Sequence, residues 1–231
     1  MACGDSGINF WNKKVSRTAS KDKNAEPDAF SGSYDVTGPD YTAVLKIKKS
    51  GQGYHLEWEM PGGTKYYGKG IERDGILGAV YDMGNGVSSG VVAYRKIGKG
   101  ISGIWTTPAG KDLMFEKTVE VEELSASHLD LRGTYNVKGM NEDSTEYAGK
   151  LEISESGSVL AAEWMTGNTF INGTGFVLDD VLVLGFGDES GIGIAVYEIH
   201  GTTLDGYWLS CPYSDLSTSY PLSLNREKAL K

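Results

Sequence analysis

The sequence predicts an all-β protein built as two tandem eight-stranded antiparallel up-and-down β-barrels, lipocalin- or avidin-like in shape, with β-sandwiches as the alternative. Three observations predict it. A unit at 31–122 is repeated at 132–231, apolar and polar residues alternate with period two within each copy, and 32 glycines stand against 6 prolines. Period two with one wet face marks an antiparallel strand, and frequent glycine turns without helical period mark a barrel or a sandwich. No stretch between Gly32 and Lys117 shows helical period over three turns.

The repeat can be followed residue by residue. "SGSYDVTG" at Ser31 returns as "RGTYNVKG" at Arg132, matching Tyr34 with Tyr135 and Val36 with Val137. After a five-residue insertion in the second copy, "YTAVLKI" matches "YAGKLEI", pairing Tyr41 with Tyr147 and Ile47 with Ile153. "LEWEM" matches "AEWMT", pairing Glu57 with Glu163 and Trp58 with Trp164. "YGKGI" matches "NGTGF", pairing Gly68 with Gly173 and Gly70 with Gly175. "AYRKIGKGISGIW" matches "VYEIHGTTLDGYW", pairing Tyr94 with Tyr197, Gly103 with Gly206 and Trp105 with Trp208.

Strand centres fall near Tyr34, Leu45, Leu56, Tyr67, Leu77, Val92, Ile104 and Phe115, each with a counterpart in the second copy. In "YHLEWEM" the residues Tyr54, Leu56, Trp58 and Met60 share one face, and His55, Glu57 and Glu59 share the other, which is expected to be wet. Short sequential strands joined by tight hairpins are best satisfied by closure, because a barrel has no unpaired edge. The mid-strand glycines relieve crowding where strands coil tightly. Between the copies, "VEVEELSASHLDL" extends the last strand through Val119 and Val121. A turn or single helical turn is expected near Ser125–His128, and 123–131 serves as a short connector. With no Gly or Pro it is too short to let the units move freely. The tail "NREKALK" is expected to add a terminal helical turn.

Residues 1–30 read differently. "KKVSRTASKDKNAEPDA" is polar, of mixed charge and without period, so it buries too little to fold and serves as a tether. Trp11 is its exception. Cys3, followed by small and polar residues, resembles the mature end of a bacterial lipoprotein and is the expected lipid-attachment site. Two acyl chains on one residue suffice for stable anchoring. The formal charge of −9 argues against nucleic acid, whose phosphates call for clustered Lys and Arg.

Motifs that suggest catalysis lack their structural setting. "GVSSG" at Gly86–Gly90 fits a nucleophile elbow but leads into a strand rather than a helix. "GKGISG" at Gly98–Gly103 has dinucleotide-loop spacing, and it too leads into a strand. "GDSG" at Gly4–Gly7 lies in the tether. His55, His128 and His200 have no second His or Cys at metal-ligand spacing, so no metal and no cofactor is expected. Trp58, Trp105, Trp164 and Trp208 either fill the barrel interiors or line a ligand cavity, and the short strands favour filling. Loops on a rigid scaffold usually carry contacts. The loop with Asn141, Glu142, Asp143 and Glu146, and the loop 212–218 with Tyr213 and Asp215, are therefore the candidates for partner contact.

Taken together, "GSYDVTGPDYTAVLKI", "LEW" with its following glycines, "VVAYRKI" and "GISGIW" resemble a β-repeat family of exported bacterial proteins and lipoproteins. Some members are labelled fibronectin-binding, and spirochaete lipoproteins are among them. The resemblance implies a protein held at the bacterial cell envelope by the lipid on Cys3. The Cys3 anchor, the tether, the duplication and the lack of a polar constellation able to do chemistry lead to the expectation of a non-enzymatic protein that binds a macromolecular partner, such as a host matrix or plasma protein. The resemblance carries over no catalytic residue. A carrier of a small hydrophobic ligand in a barrel calyx is the alternative, and a protein inhibitor of an enzyme is a further one.

Overall fold

Each repeat rolls into its own closed barrel of eight antiparallel strands, joined in sequence order. The computed structural model describes residues 28–84, 86, 89–141 and 143–231. Cys3, Trp11, the tether up to residue 27 and Glu142 lie outside the described residues. The first barrel runs β1 (Gly32–Thr37), β2 (Thr42–Ser50), β3 (Gly53–Glu59), β4 (Lys65–Arg73), β5 (Ile76–Asp82), β6 (Gly90–Ile97), β7 (Gly100–Thr106) and β8 (Met114–Thr118). The second runs β9 (Gly133–Met140), β10 (Glu146–Ser156), β11 (Val159–Thr166), β12 (Thr169–Leu178), β13 (Val181–Gly187), β14 (Gly191–His200), β15 (Thr203–Pro212) and β16 (Asn225–Leu230). The first barrel closes where Val36 and Thr37 of β1 meet Thr118 and Lys117 of β8. The second closes along a longer seam, from Met140–Arg226 to Asn136–Leu230.

Alternation fills the interiors. Leu45, Tyr54, Leu56, Trp58, Leu77 and Tyr94 point into the first barrel, and Leu151, Leu160, Ala162, Trp164, Leu182 and Tyr197 into the second. One end of each barrel is stoppered by the residue two places ahead of its first strand. Phe30, assigned by sequence to the tether, is fully buried and accepts a 2.8 Å hydrogen bond on its carbonyl from the Tyr34 hydroxyl. Leu131, assigned to the connector, is buried and receives the equivalent 2.8 Å bond from Tyr135. Both boundaries therefore move, because the stopper belongs to the barrel that it closes.

A third core lies between the barrels. Ile71, Ile76, Val80 and Val91 on the outside of the first pack against Phe176, Val183, Ile194 and Val196 on the outside of the second. Strands β5 and β13 are consequently buried on both faces. This is why "ILGAV" and "VLVLG" read as continuous apolar runs instead of alternating. Equivalent positions of the two repeats meet here. A Cβ added at Gly78 would lie 2.8 Å from Val183 Cγ1, and one added at Gly185 would lie 3.0 Å from Val80 Cγ1. Ion pairs rim the contact: Arg73 with Glu198 at 2.5 Å, and Arg95 with Asp179.

Two expected helical turns are absent. The connector crosses 121–132 without helix and is pinned where Ser127 N–H donates to the Val177 carbonyl at 2.8 Å. Burying Leu124 and Ala126 against the third core outweighs a short helix that no other packing would hold. The tail forms β16, because without it the second barrel would stand open.

The wet face assigned to His55 is also corrected. The excursion 213–224 between β15 and β16 opens with a 3₁₀ turn, Tyr213–Asp215, and then straps across the first barrel. Gln52 N–H donates to the Leu222 carbonyl at 2.8 Å, and Leu222 N–H donates to the Ser50 carbonyl at 3.0 Å. Beneath the strap, His55 Nε2 lies 2.7 Å from the Tyr220 carbonyl, and Lys69 Nζ lies 2.6 Å from His55 Nδ1. A carbonyl can only accept, so Nε2 carries the imidazole proton and Nδ1 accepts from the lysine. Lys69 also donates to the carbonyls of Leu216 and Thr218, both at 2.8 Å, so all three ammonium hydrogens are used on neutral acceptors. Burial pushes its pKa down to about 8.

Two expectations follow from this packing. Gly185→Val should destabilise the chain by about 1–3 kcal/mol, as overpacking of a tight contact does, measured by urea unfolding. The second concerns pH. Lys69 binds its proton less tightly folded than unfolded, so its penalty is full below pH 8 and disappears as pH rises to the ordinary lysine value of 10.5. The stability of the wild type relative to Lys69→Met should therefore increase across pH 8 to 10.5, measured by urea unfolding of both proteins.

Candidate functional site

Each barrel carries a buried glutamate on its last strand, held by three aromatic donors. In the first, Glu116 Oε1 accepts from Trp58 Nε1 at 3.0 Å and from the Tyr94 hydroxyl, while Oε2 accepts from the Tyr41 hydroxyl at 2.7 Å. In the second, Glu227 Oε1 accepts from Trp164 Nε1 at 3.1 Å and from the Tyr197 hydroxyl at 2.5 Å, and Oε2 accepts from the Tyr147 hydroxyl at 2.7 Å. The donors come from β3, β6 and the residue before β2 in one barrel, and from β11, β14 and β10 in the other. Burial pushes both carboxyls up, against the opposing pull of the three hydrogen bonds. Tyr94 and Tyr197 are pushed well above the ordinary phenol value by burial and by the adjacent carboxylate.

The repeated glycines make room for these rings. A Cβ at Gly103 would lie 2.4 Å from the Tyr94 ring, and one at Gly38 would lie 2.2 Å from Tyr41. A Cβ at Gly68 would lie 3.0 Å from Trp58. Gly206, Gly139 and Gly173 do the same for Tyr197, Tyr147 and Trp164. Each aromatic lies across its neighbour at a glycine, where the chain has no side chain.

The two barrels then differ in how much space they keep. Trp58 and Trp105, with Tyr41, Tyr66, Tyr81 and Glu116, line a calyx of about 600 Å³ in the first. The corresponding space in the second, beside Trp164, Trp208 and Glu227, is about 10 Å³, no more than one water could occupy. The expected filled interior therefore holds for the second barrel and fails for the first. One reason is loop length: residues 83–89 separate β5 from β6, whereas only 188–190 separate β13 from β14. Gly86, Ser89, Thr107, Pro108 and Ala109 raise the calyx wall above the strand ends. The other is the late tryptophan. Trp208 Nε1 donates to the Tyr147 hydroxyl at 2.6 Å and packs on Phe186, whereas half-buried Trp105 donates to the Phe115 carbonyl at 3.3 Å.

The loop candidates form two separate groups outside the calyx. Asn141 N–H donates to the Thr145 carbonyl and Asn141 Nδ2 to the Thr145 hydroxyl, both at 2.9 Å, while Asp143 accepts from Thr145 N–H at 3.1 Å. Glu146 opens β10 opposite Met140 and is exposed. Tyr213 packs on the third core, and Asp215 closes the 3₁₀ turn through its carbonyl and the Thr218 hydroxyl. His200, at the end of β14, pairs with Glu198 at 3.4 Å. Among the described residues no group of three or more His, Cys, Asp or Glu side chains is placed to hold a metal ion.

Glu116 and Glu227 are the residues that sequence reading missed. The signal was present: "FEK" at the end of one copy and "REK" at the end of the other continue the repeat past its tryptophans. No family model matches the chain, and no curated protein matches it either.

The two carboxylates should respond differently to removal. Glu227→Leu strands three donors in a dry interior, at about 1–3 kcal/mol for each. Glu116→Leu should cost clearly less, because water in the calyx can satisfy the same donors. Urea unfolding of the two variants side by side measures the difference.

Proposed function

We propose that the chain is a non-enzymatic binding protein whose first barrel takes a small, largely apolar molecule into the calyx between Trp58 and Trp105. The observation that carries this reading is the asymmetry of the pair: one barrel keeps about 600 Å³ where its duplicate keeps about 10 Å³. A cavity that size falls within the range of ligand pockets, and its walls combine aromatic surface with a few convergent polar groups. The second barrel is the packed counterpart that braces the first. The loops around Asn141 and Tyr213 satisfy themselves or pack on the third core, so the calyx supports a small ligand ahead of a macromolecular one. An anchor on Cys3 would hold such a binder at the bacterial envelope, as the resemblance implies.

The neutral probe N-phenyl-1-naphthylamine should quench tryptophan fluorescence saturably, at one site per chain. Ala109→Trp, which narrows the exposed rim without touching the core, should weaken that quenching, and Ala109→Ser should not. An absence of saturable binding, for this probe and for the charged and uncharged naphthalene probes described below alike, would overturn the reading.

A further inference from the structure

The calyx has an uneven chemical character. Among its described lining residues Glu116 is the one acidic side chain, and there is no Lys, Arg or His. Around it stand six aromatic residues, Tyr41, Trp58, Tyr66, Tyr81, Tyr94 and Trp105. Tyr81 sits at the centre of the group, 5.5 Å from Trp58, 6.0 Å from Tyr66 and 6.5 Å from Trp105 between ring centroids. Ring faces carry negative potential and attract cations, more strongly where water is excluded. A carboxylate offers about four acceptor positions. Trp58 and Tyr94 both donate to Oε1, while Tyr41 alone donates to Oε2, so Oε2 retains an acceptor position, and Glu116 and Tyr41 both line the cavity.

We infer that the ligand of this calyx is an organic cation, an amine or quaternary ammonium on an apolar body, seated with its charge against Glu116 and the surrounding rings. The inference rests on the small-molecule reading above and adds the sign of the ligand's charge. An anion would meet the carboxylate and the ring faces with no basic group to offset them. A neutral apolar molecule would cover Glu116 and offer its carboxylate nothing beyond the three donors it already has. The second barrel separates the two roles of the cluster. Glu227 has the same three donors and no space beside it, so that cluster serves packing alone, and only in the first barrel does it face a cavity. The formal charge of −9 also favours the approach of cations over anions.

The test compares three probes that share a naphthalene body: (1-naphthylmethyl)trimethylammonium, 1-naphthylmethanol and 1-naphthylacetate. Each is titrated into the full chain by calorimetry and tryptophan fluorescence. The cation should bind about tenfold or more tighter than the alcohol, and the acetate should bind least. Glu116→Gln should remove most of the cation's advantage while leaving the alcohol's affinity within about twofold. Glu227→Gln, in the barrel without space, should leave the order of the probes unchanged. Should Glu116→Gln not fold, Tyr66→Ile substitutes for it, because the second barrel already carries Ile171 at that place; it should weaken the cation more than the alcohol. Alcohol binding equal to or tighter than the cation, or acetate binding tightest, would overturn the inference and leave the small-molecule reading standing. If none of the three binds, and N-phenyl-1-naphthylamine does not bind, that reading fails together with the inference.

Discussion

A carboxylate placed inside a β-barrel must find donors there, and that requirement organises both halves of this molecule. The glutamate sits on the closing strand, while its donors stand on strands across the lumen. Satisfying Glu116 or Glu227 therefore ties the last strand to the middle of the sheet by side chains, in addition to the backbone ladder. In the first barrel the backbone seam is short, just Val36–Thr118 and Thr37–Lys117. There the Glu116 bonds supply a tie between β8 and the opposite wall that the ladder itself does not. The glycines follow from the same demand. A tyrosine or indole long enough to reach the carboxylate must lie across its neighbour, and the neighbour can have no Cβ at that point.

The architecture was legible because it is repeated and periodic. Tyr34, Leu56 and Trp58 announce their face by alternation, and a second copy with the same order makes coincidence a poor account. Glu116 was not legible because an acidic residue in an alternating strand ordinarily marks the solvent side. Only its burial under Trp58 and Tyr94 reveals the reverse. His55 failed for a different reason: the strap that covers it is 165 residues distant in sequence. The third core was written in "ILGAV" and "VLVLG", whose unbroken apolar runs signal burial on both faces. The calyx could not be read from composition, since the second barrel has smaller residues at several matching positions, Ile171 for Tyr66 and Ala195 for Val92, yet keeps far less space. Ring orientation and rim height decide the matter, and neither follows from residue size.

The two barrels also brace each other through matching loops. The β15–β16 excursion pairs with the β2–β3 turn at Gly51 and Gln52, and the β7–β8 loop pairs with the β10–β11 turn, where Ser158 N–H donates to the Lys111 carbonyl at 2.8 Å. The second of these contacts bears on the site. Thr107, Pro108 and Ala109 form part of the calyx rim and belong to the loop that the second barrel holds through Lys111. A packed barrel thus contributes to the shape of its open twin.

The glycine–valine contacts between the barrels bear on the molecule's history as a single chain. Register equates Gly78 with Val183 and Val80 with Gly185, since Gly68 faces Tyr81 and Gly173 faces Phe186 in the two hairpins. At these two places, then, a glycine meets its own enlarged counterpart. Two identical subunits related by a true dyad could not arrange this: at each such place they would present valine to valine or a void to a void. Halves joined in one chain are free of that symmetry, so one half is shaped to its sibling and is mismatched to a copy of itself at these positions.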